Sequence, residues 1–440
     1  MNYKKFFEAA KDNGITVSEI SFSKTSELSF SLFHHEIDNY TMSDQSKIRA
    51  RGIYKNKLGF VSSENISNDS IPELISGIKS TASMIEKEEE PIIFKGSKKY
   101  HKKNSFSKEL ASVSVDEKLL KLHELEDEAY KLDKRVTEVE VSYYEESSES
   151  ELENSYGLKL KNKSNFFYYY VSVVAKDGEE IKSDGEIFFG NEFSKFVAKD
   201  VAKKAVEKTI AKFHGVPVKS KAYKAVLNQD TVASLLGFLI NVSANAENVQ
   251  RKSSLFVGKL NTQLLSKKVT IEEKPLEKNC FFTYFDSEGV ATQNKKIVDK
   301  GVLKTYLYNL DTAAKDNTES TGNGYRAGAK IGISTVNLTL KPGRMSEEEL
   351  IAKVKDGVYI SSISGLHAGL NAQSGDFSLE AEGFLIENGK KTKPLTLITV
   401  GGNLVSVFQN VIGVANNSEL QTSSVYAPSM AIKGLKVSAS

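Results

Sequence analysis

The chain has 440 residues, of which 26% are charged and 40% hydrophobic, a composition typical of a folded protein with two or three domains. Its 59 basic and 57 acidic residues leave a formal net charge of +2, which disfavours direct binding to nucleic acid. The single cysteine, Cys280, excludes an internal disulfide and suits a reducing compartment. No apolar run has the length of a signal peptide or a membrane span, so we expect a cytoplasmic protein.

The first half of the chain combines helical and strand patterns. A helix is predicted over residues 3–13, ending at Asn13-Gly14, and a second begins at Ser70 and runs to about Lys87. Ser114 and Glu117 have the spacing of a capping box for a helix that reaches about Lys134. A long helix is predicted over 192–213. The predicted strands cover 15–22, 28–33, 49–54, 58–61, 136–144, 158–160 and 166–174.

The most apolar run of the chain, 231–256, begins as a helix with Asp230 as its predicted N-cap. Beyond it the chain is mostly strand, with hairpin turns predicted at Asp299-Lys300-Gly301 and at Asn388-Gly389. Only three residues of the segment 394–440 are charged, so this tail must be buried in its own domain or against another chain.

These patterns predict an α+β protein. We expect an N-terminal α/β region of two subdomains with mixed or antiparallel sheets, at 1–110 and 111–217. A C-terminal domain dominated by antiparallel sheet would occupy 218–440.

Few residue patterns indicate a catalytic site. His123-Glu124 begins HELED, a near match to the H-E-x-x-H zinc motif that we interpret as a solvated helix face. None of the histidines has a His, Glu or Cys at i, i+4. If His34 and His35 are in a strand, they point to opposite faces and cannot both bind one ion. Cys280 lies beside two phenylalanines, which favours an inert apolar role over that of a nucleophile.

Several segments of the second half resemble the TldD/PmbA family, whose members are also called modulators of DNA gyrase. The segments occur in the order and spacing of that family. They are FDSEGV at 285–290 with Thr292-Gln293, GVL at 301–303, STG at 320–322, SGDFS at 374–378, EGFLIENG at 382–389, GNL at 402–404 and PSM at 428–430.

The resemblance implies a metalloprotease complex of two subunit types. In the TldD type, H-E-x-x-x-H on a helix and a cysteine near the C-terminus bind zinc, whereas the TldE/PmbA type lacks them. Two imidazoles and a thiolate leave one zinc position for water, and the glutamate takes that water's proton. Alignment on Arg251-Lys252-Ser253 places Gly237, Phe238 and Val242 at the motif positions, and no cysteine follows Cys280. The chain therefore resembles the TldE/PmbA type, with no metal ligand and no cofactor.

The resemblance implies a non-catalytic subunit that pairs with a zinc-bearing TldD-like subunit and acts with it on small or unfolded peptides. We expect no nucleic-acid or membrane partner. Two alternatives stay open: a homodimer that binds peptides by strand addition, and a metal-free hydrolase that uses His367 and Asp376. Six polar loop residues could line a cleft or simply form turns, and they are Asp286, Glu288, Tyr325, Arg326, His367 and Asp376.

Overall fold

The computed structural model describes residues 1–86, 90–328 and 330–439 and confirms the α+β class. Its α-helices are α1 (Tyr3–Asp12), α2 (Ile71–Met84), α3 (Lys108–Ser112), α4 (Val115–Leu132), α5 (Ala198–Ile210), α6 (Gln229–Ser243), α7 (Ala246–Gln250), α8 (Leu310–Lys315), α9 (Glu347–Val354), α10 (Leu366–Gly369) and α11 (Leu404–Gln409). The predicted end of α2 at Lys87 lies outside the described residues.

The N-terminal region contains one antiparallel sheet in the order β3-β2-β1-β4-β5-β6. Its strands are β1 (Ile15–Phe33), β2 (Glu36–Tyr54), β3 (Lys57–Ser63), β4 (Val136–Asn154), β5 (Lys159–Asp177) and β6 (Glu180–Gly190). Because β1 pairs with β4 from Glu19↔Asn154 to Phe33↔Glu140, a single sheet crosses the predicted subdomain boundary at residue 110.

The two halves of this sheet nevertheless have separate cores. Helices α1 and α2 cover the first half, where Phe6, Ile20 and Leu74 are fully buried. Helices α4 and α5 cover the second half, and they bury an aromatic cluster that includes Tyr143 and Tyr169. Each apolar helix stripe is thus buried against its own part of a shared sheet.

Several predicted elements were too short or too long. The predicted strands 15–22 and 28–33 are one strand, β1, because the polar segment between them pairs on both sides with β2 and β4. The predicted helix 192–213 is a turn of 3-10 helix at Phe193–Lys195 followed by α5, since Phe196 and Val197 have extended backbones.

The C-terminal strands form two sheets and a hairpin. They are β7 (Lys221–Leu227), β8 (Ile271–Glu273), β9 (Lys295–Asp299), β10 (Val302–Leu303), β11 (Gly324–Ala327), β12 (Lys330–Ile333), β13 (Leu338–Leu340), β14 (Gly357–Ser364), β15 (Asp376–Glu387), β16 (Lys390–Pro394), β17 (Ile398–Asn403), β18 (Val411–Val414), β19 (Glu419–Leu420), β20 (Val425–Ala427) and β21 (Met430–Ala439). Turns at Asp299–Gly301 and Asn388-Gly389 join β9 to β10 and β15 to β16, as predicted.

One C-terminal sheet has the order β14-β7-β21-β17-β15-β16, and β14 also pairs with β15, so its pairings close on themselves. The other sheet has the order β10-β9-β8-β13-β20-β19. Both contain parallel pairs, β14 with β7 and β13 with β20, although most pairs are antiparallel as expected. Helix α6 contacts β14 of the first sheet and β20 of the second.

The tail 394–440 is built into these sheets, with β21 hydrogen-bonded between β7 and β17. Its low charge therefore reflects the core of its own domain, and does not by itself indicate contact with another chain. Among the described residues, no helix combines the length and the apolar character needed to cross a membrane.

Candidate functional site

The three positions that match the zinc motif lie on α6 and are occupied by apolar residues. Asn228, rather than the predicted Asp230, is the N-cap, and its side chain accepts from the backbone N–H of Thr231. Gly237, Phe238 and Val242 are half-buried, and Phe238 packs against the main core. None of these three side chains has an atom that can bind a metal ion.

Cys280 has the properties predicted for an inert thiol. It is 7% exposed, and burial raises its pKa to about 12. The thiol therefore stays protonated at neutral pH and is a poor nucleophile and a poor metal ligand.

Helix α6 is connected to a buried polar network through Asn241. The Asn241 Oδ1 accepts from the backbone N–H and the hydroxyl of Thr335, at 3.0 and 3.1 Å. The neighbouring backbone N–H of Val336 donates to the Glu273 carboxylate at 2.9 Å. Glu273 is fully buried and also accepts from Asn323 and Lys295, so its charge is paired and hydrogen-bonded.

The FDSEGV segment forms a buried acidic turn beside this network. Asp286 and Glu288 are 1% and 6% exposed. The Asp286 carboxylate accepts from the backbone N–H groups of Glu288, Val290 and Gly324, at 3.0, 3.0 and 2.9 Å. These bonds hold the turn against β11, and they explain why an aspartate is needed at position 286.

Burial, with the nearby Glu288 carboxylate adding to it, raises the pKa of Asp286 to about 8. Burial also raises the pKa of Glu288, although the N–H of Leu310, which donates to its carboxylate at 2.8 Å, and the charge of Arg51 partly oppose the rise. Burial therefore favours the protonated form of Asp286, and repulsion from the neighbouring Glu288 carboxylate adds to this effect.

The N-terminal sheet contributes a buried ion pair to the same region. Arg51 on β2 faces Glu19 on β1, with a guanidinium nitrogen 2.7 Å from the carboxylate. Burial opposes the charge on Arg51, but Glu19 outweighs it and the pKa of Arg51 rises, with Glu288 and Asp286 adding to the effect. The hydroxyl of Tyr100 also donates to the carbonyl of Gly289 at 2.6 Å.

The hairpin β11–β12 supplies the other two residues of this region. Burial, and then the charges of Arg51 and Arg49, lower the pKa of Arg326. The Tyr325 hydroxyl is buried and has no hydrogen-bond partner among the described residues. Burial, followed by the charges of Glu273 and Asp286, raises its pKa. We call Asp286, Glu288, Tyr325 and Arg326, with Glu19 and Arg51, the acidic-turn cluster.

Four of the six predicted cleft residues thus come together, and the remaining two lie on other elements. His367 is exposed on α10, and Asp376 begins β15, where Asn403 donates to its carboxylate at 3.0 Å. Hydrogen bonds from Asn403 and Ser374 lower the pKa of Asp376. Within the described part of the chain no hydrogen bond or ion pair joins His367 to Asp376.

Sequence reasoning missed the charged residues that complete this region, Glu19, Arg51 and Glu273. Glu19 and Arg51 are direct partners across β1 and β2. That pairing depends on the register of two 19-residue strands, which alternation alone does not specify. No sequence motif marks Glu273, because its partners come from three separate segments.

Three family models match the chain. They describe PmbA/TldA metallopeptidase domain 1 at residues 18–83, the central domain at 108–213 and the C-terminal domain at 220–439. Metalloprotease PmbA of Escherichia coli O157:H7 is 27% identical over 427 residues, which cover 95% of this chain and 92% of the relative.

The fold also matches solved structures over almost its whole length. A Thermotoga maritima protein, named as a proposed modulator of a DNA gyrase, superposes with a TM-score of 0.92 at 29% identity, covering 99% of each chain. TldE of Thermococcus kodakarensis superposes with a TM-score of 0.91 at 21% identity, covering 99% of this chain and 100% of the other, a likeness of fold alone.

Proposed function

The chain belongs to the PmbA/TldD metallopeptidase family, and from that premise we propose that it is the non-catalytic subunit of a cytoplasmic protease complex. Its partner would be a zinc-bearing TldD-type subunit, and the substrates would be small or unfolded peptides. Membership of the family supports a role in proteolysis. The apolar residues at the motif positions of α6 support a chain that leaves catalysis to its partner.

The observation that carries this proposal is the apolar surface of α6. A metallopeptidase needs ligands for its zinc ion and a base that takes a proton from the bound water. Gly237, Phe238 and Val242 provide neither, and Cys280 is buried and protonated. Asn241, which lies between the motif positions, is already used to hold Thr335. This chain therefore depends on a partner for the chemistry.

The acidic-turn cluster fits a supporting role in such a complex. Four of its ionisable side chains are buried where the N-terminal sheet meets the C-terminal domain, and the carboxyl groups of Asp286 and Glu288 accept hydrogen bonds from backbone N–H groups of this chain. These hydrogen-bonded groups fix the position of the N-terminal sheet relative to the C-terminal domain. That arrangement would shape the surface that a partner subunit contacts.

Co-expression with a TldD-type protein of the same organism tests the proposal. The tagged chain should retain that protein through size-exclusion chromatography, and the complex should cleave an unstructured quenched-fluorescence peptide. Cleavage should disappear when the partner's motif glutamate is changed to glutamine, while the complex itself stays assembled. The chain alone should not cleave the peptide.

The same assay decides between the alternatives. Chelator-sensitive cleavage by the chain alone would overturn the non-catalytic assignment. Cleavage that persists in chelator and is lost in His367→Ala would support the metal-free hydrolase instead. A stable homodimer that binds the peptide without cleaving it, and that does not retain the TldD-type protein, would support the peptide-binding alternative.

A further inference from the structure

A group of metal-binding side chains lies far from α6 in the chain, at the tip of the β1–β2 hairpin. His35 from this hairpin meets His123 and Glu126 of α4, and one ligand atom from each lies within 4.8 Å of the others. We call these three residues the His35 cluster. It is the only such group of three or more His, Cys, Asp or Glu side chains within the described ranges.

The fold brings these residues together for reasons that are visible in each element. Phe33 pairs with Glu36, so His34 and His35 form a two-residue turn, and both adopt left-handed backbone conformations. His34 and His35 therefore lie outside the strands, so the restriction expected for two residues on opposite strand faces does not apply to them. On α4, His123 and Glu126 are three residues apart and share one side of the helix.

The buried environment of Glu126 favours a cation beside its carboxylate. Its side chain is fully buried, and its Oε1 accepts from the backbone N–H of His35 at 3.0 Å. Its Oε2 has no hydrogen-bond partner among the described residues, although the Nδ1 of His35 is 3.2 Å away. A buried carboxylate is costly unless a positive charge compensates it, and the ligand atoms of His35 and His123 lie within 4.8 Å of the Glu126 carboxylate.

The kinds of ligand atom select the class of ion. Two imidazole nitrogens and one carboxylate oxygen suit zinc and similar divalent transition metals, whereas magnesium and calcium prefer oxygen ligands alone. A fourth position would be open to water or to Asp127, whose carboxylate lies 3.5 Å from the Nδ1 of His35. Asp127 is half exposed, so it can move toward an ion.

We infer that the His35 cluster binds one zinc-type ion, which fastens the tip of the β1–β2 hairpin to α4. The site lies on other elements than the degenerate motif of α6 and is independent of peptide cleavage. Since His35 and His123 are far apart in the sequence, the ion would cross-link the two halves of the N-terminal region. Binding to the folded state alone would stabilise that state in proportion to the logarithm of metal concentration.

Zinc titration of the metal-stripped full-length chain, in competition with a chromophoric chelator, tests this inference. The wild type should bind one equivalent, and His35→Ala or His123→Ala should each weaken binding by at least about tenfold, the loss that removing even a hydrogen-bond partner of a metal ligand causes in other sites. His34→Ala changes the neighbouring residue of the same turn and should leave binding unchanged. Cobalt substituted for zinc should give visible absorption that both ligand variants lose.

Thermal unfolding provides a readout that does not depend on catalysis. Added zinc should raise the Tm of the wild type and of His34→Ala, but not that of His123→Ala, whose partly exposed side chain makes the substitution compatible with folding. The inference is overturned if the wild type binds no stoichiometric zinc, or if both ligand variants bind it as tightly as the wild type. The first result would indicate that the fold accommodates the buried Glu126 carboxylate without a metal ion.

Discussion

At the scale of single residues, Asp286 should make the stability of the protein depend on pH. Its pKa is about 8 in the folded chain against an ordinary value of 3.8, so between these values the folded state holds a proton that the unfolded state has lost. The free energy of unfolding should therefore fall as pH rises, by up to about 1.4 kcal/mol per pH unit from this group. Urea unfolding between pH 5 and 9 measures this slope.

Asp286→Asn removes the titrating group and should flatten that slope, whereas Asp38→Asn, at an exposed position on β2, should not. A wild-type stability that is constant or rises over the same pH interval would contradict the assignment of a raised pKa to Asp286.

Gly324 is a second position where adding a single carbon atom should destabilise the folded state. A Cβ there would lie 2.4 Å from the Glu288 Oε2, and Glu288 cannot easily move because it accepts from the N–H of Leu310. We expect Gly324→Ala to lower the free energy of unfolding by about 1–3 kcal/mol, as overpacking does elsewhere. Gly332→Ala, across the hairpin, meets only the Tyr325 carbonyl oxygen at 3.9 Å and should be nearly neutral in denaturant titrations.

At the scale of elements, α6 offers a test of whether its glycine has any function. A methyl group at Gly237 would lie 3.6 Å from Val425, an ordinary contact. Gly237→Ala should therefore stabilise the chain by about 0.5–1 kcal/mol through helix propensity and leave partner-dependent cleavage intact. Leu239→Ala, at a fully buried position of the same helix, should instead cost about 2–5 kcal/mol. Loss of cleavage in a stably folded Gly237→Ala would assign that position a role beyond packing.

The helices, turns and strands also show which parts of the fold could be predicted from the sequence. The apolar stripe of α6 and the turns at Asp299–Gly301 and Asn388-Gly389 follow from local chemistry, and they were predicted. Long strands with polar centres, such as β1, were not, because their pairing on both sides is set by residues far away in the chain. The His35 cluster could not be predicted for the same reason, since nothing near His35 in the sequence indicates that α4 lies beside it.

At the scale of the whole molecule, the ion pair of Glu19 and Arg51 lies beside the acidic turn of the C-terminal domain. Both side chains are almost fully buried, so removing one leaves an uncompensated charge. Arg51→Met should lower the free energy of unfolding by about 3–5 kcal/mol, and Glu19→Gln combined with it should recover part of that loss. Lys121→Met breaks an exposed pair with Glu124 and should cost at most about 1 kcal/mol. A double-mutant cycle measures the coupling, and additive losses would contradict it.

The central position of β21 has a consequence for synthesis on the ribosome. All strands of the N-terminal sheet have been made by residue 190, so that sheet can assemble while translation continues. In the C-terminal domain, β7 and β17 must wait for residues 430–439, which hydrogen-bond to both. Until then one edge of β7 and one edge of β17 are unpaired, so we expect the nascent C-terminal domain to aggregate more readily than the completed N-terminal sheet.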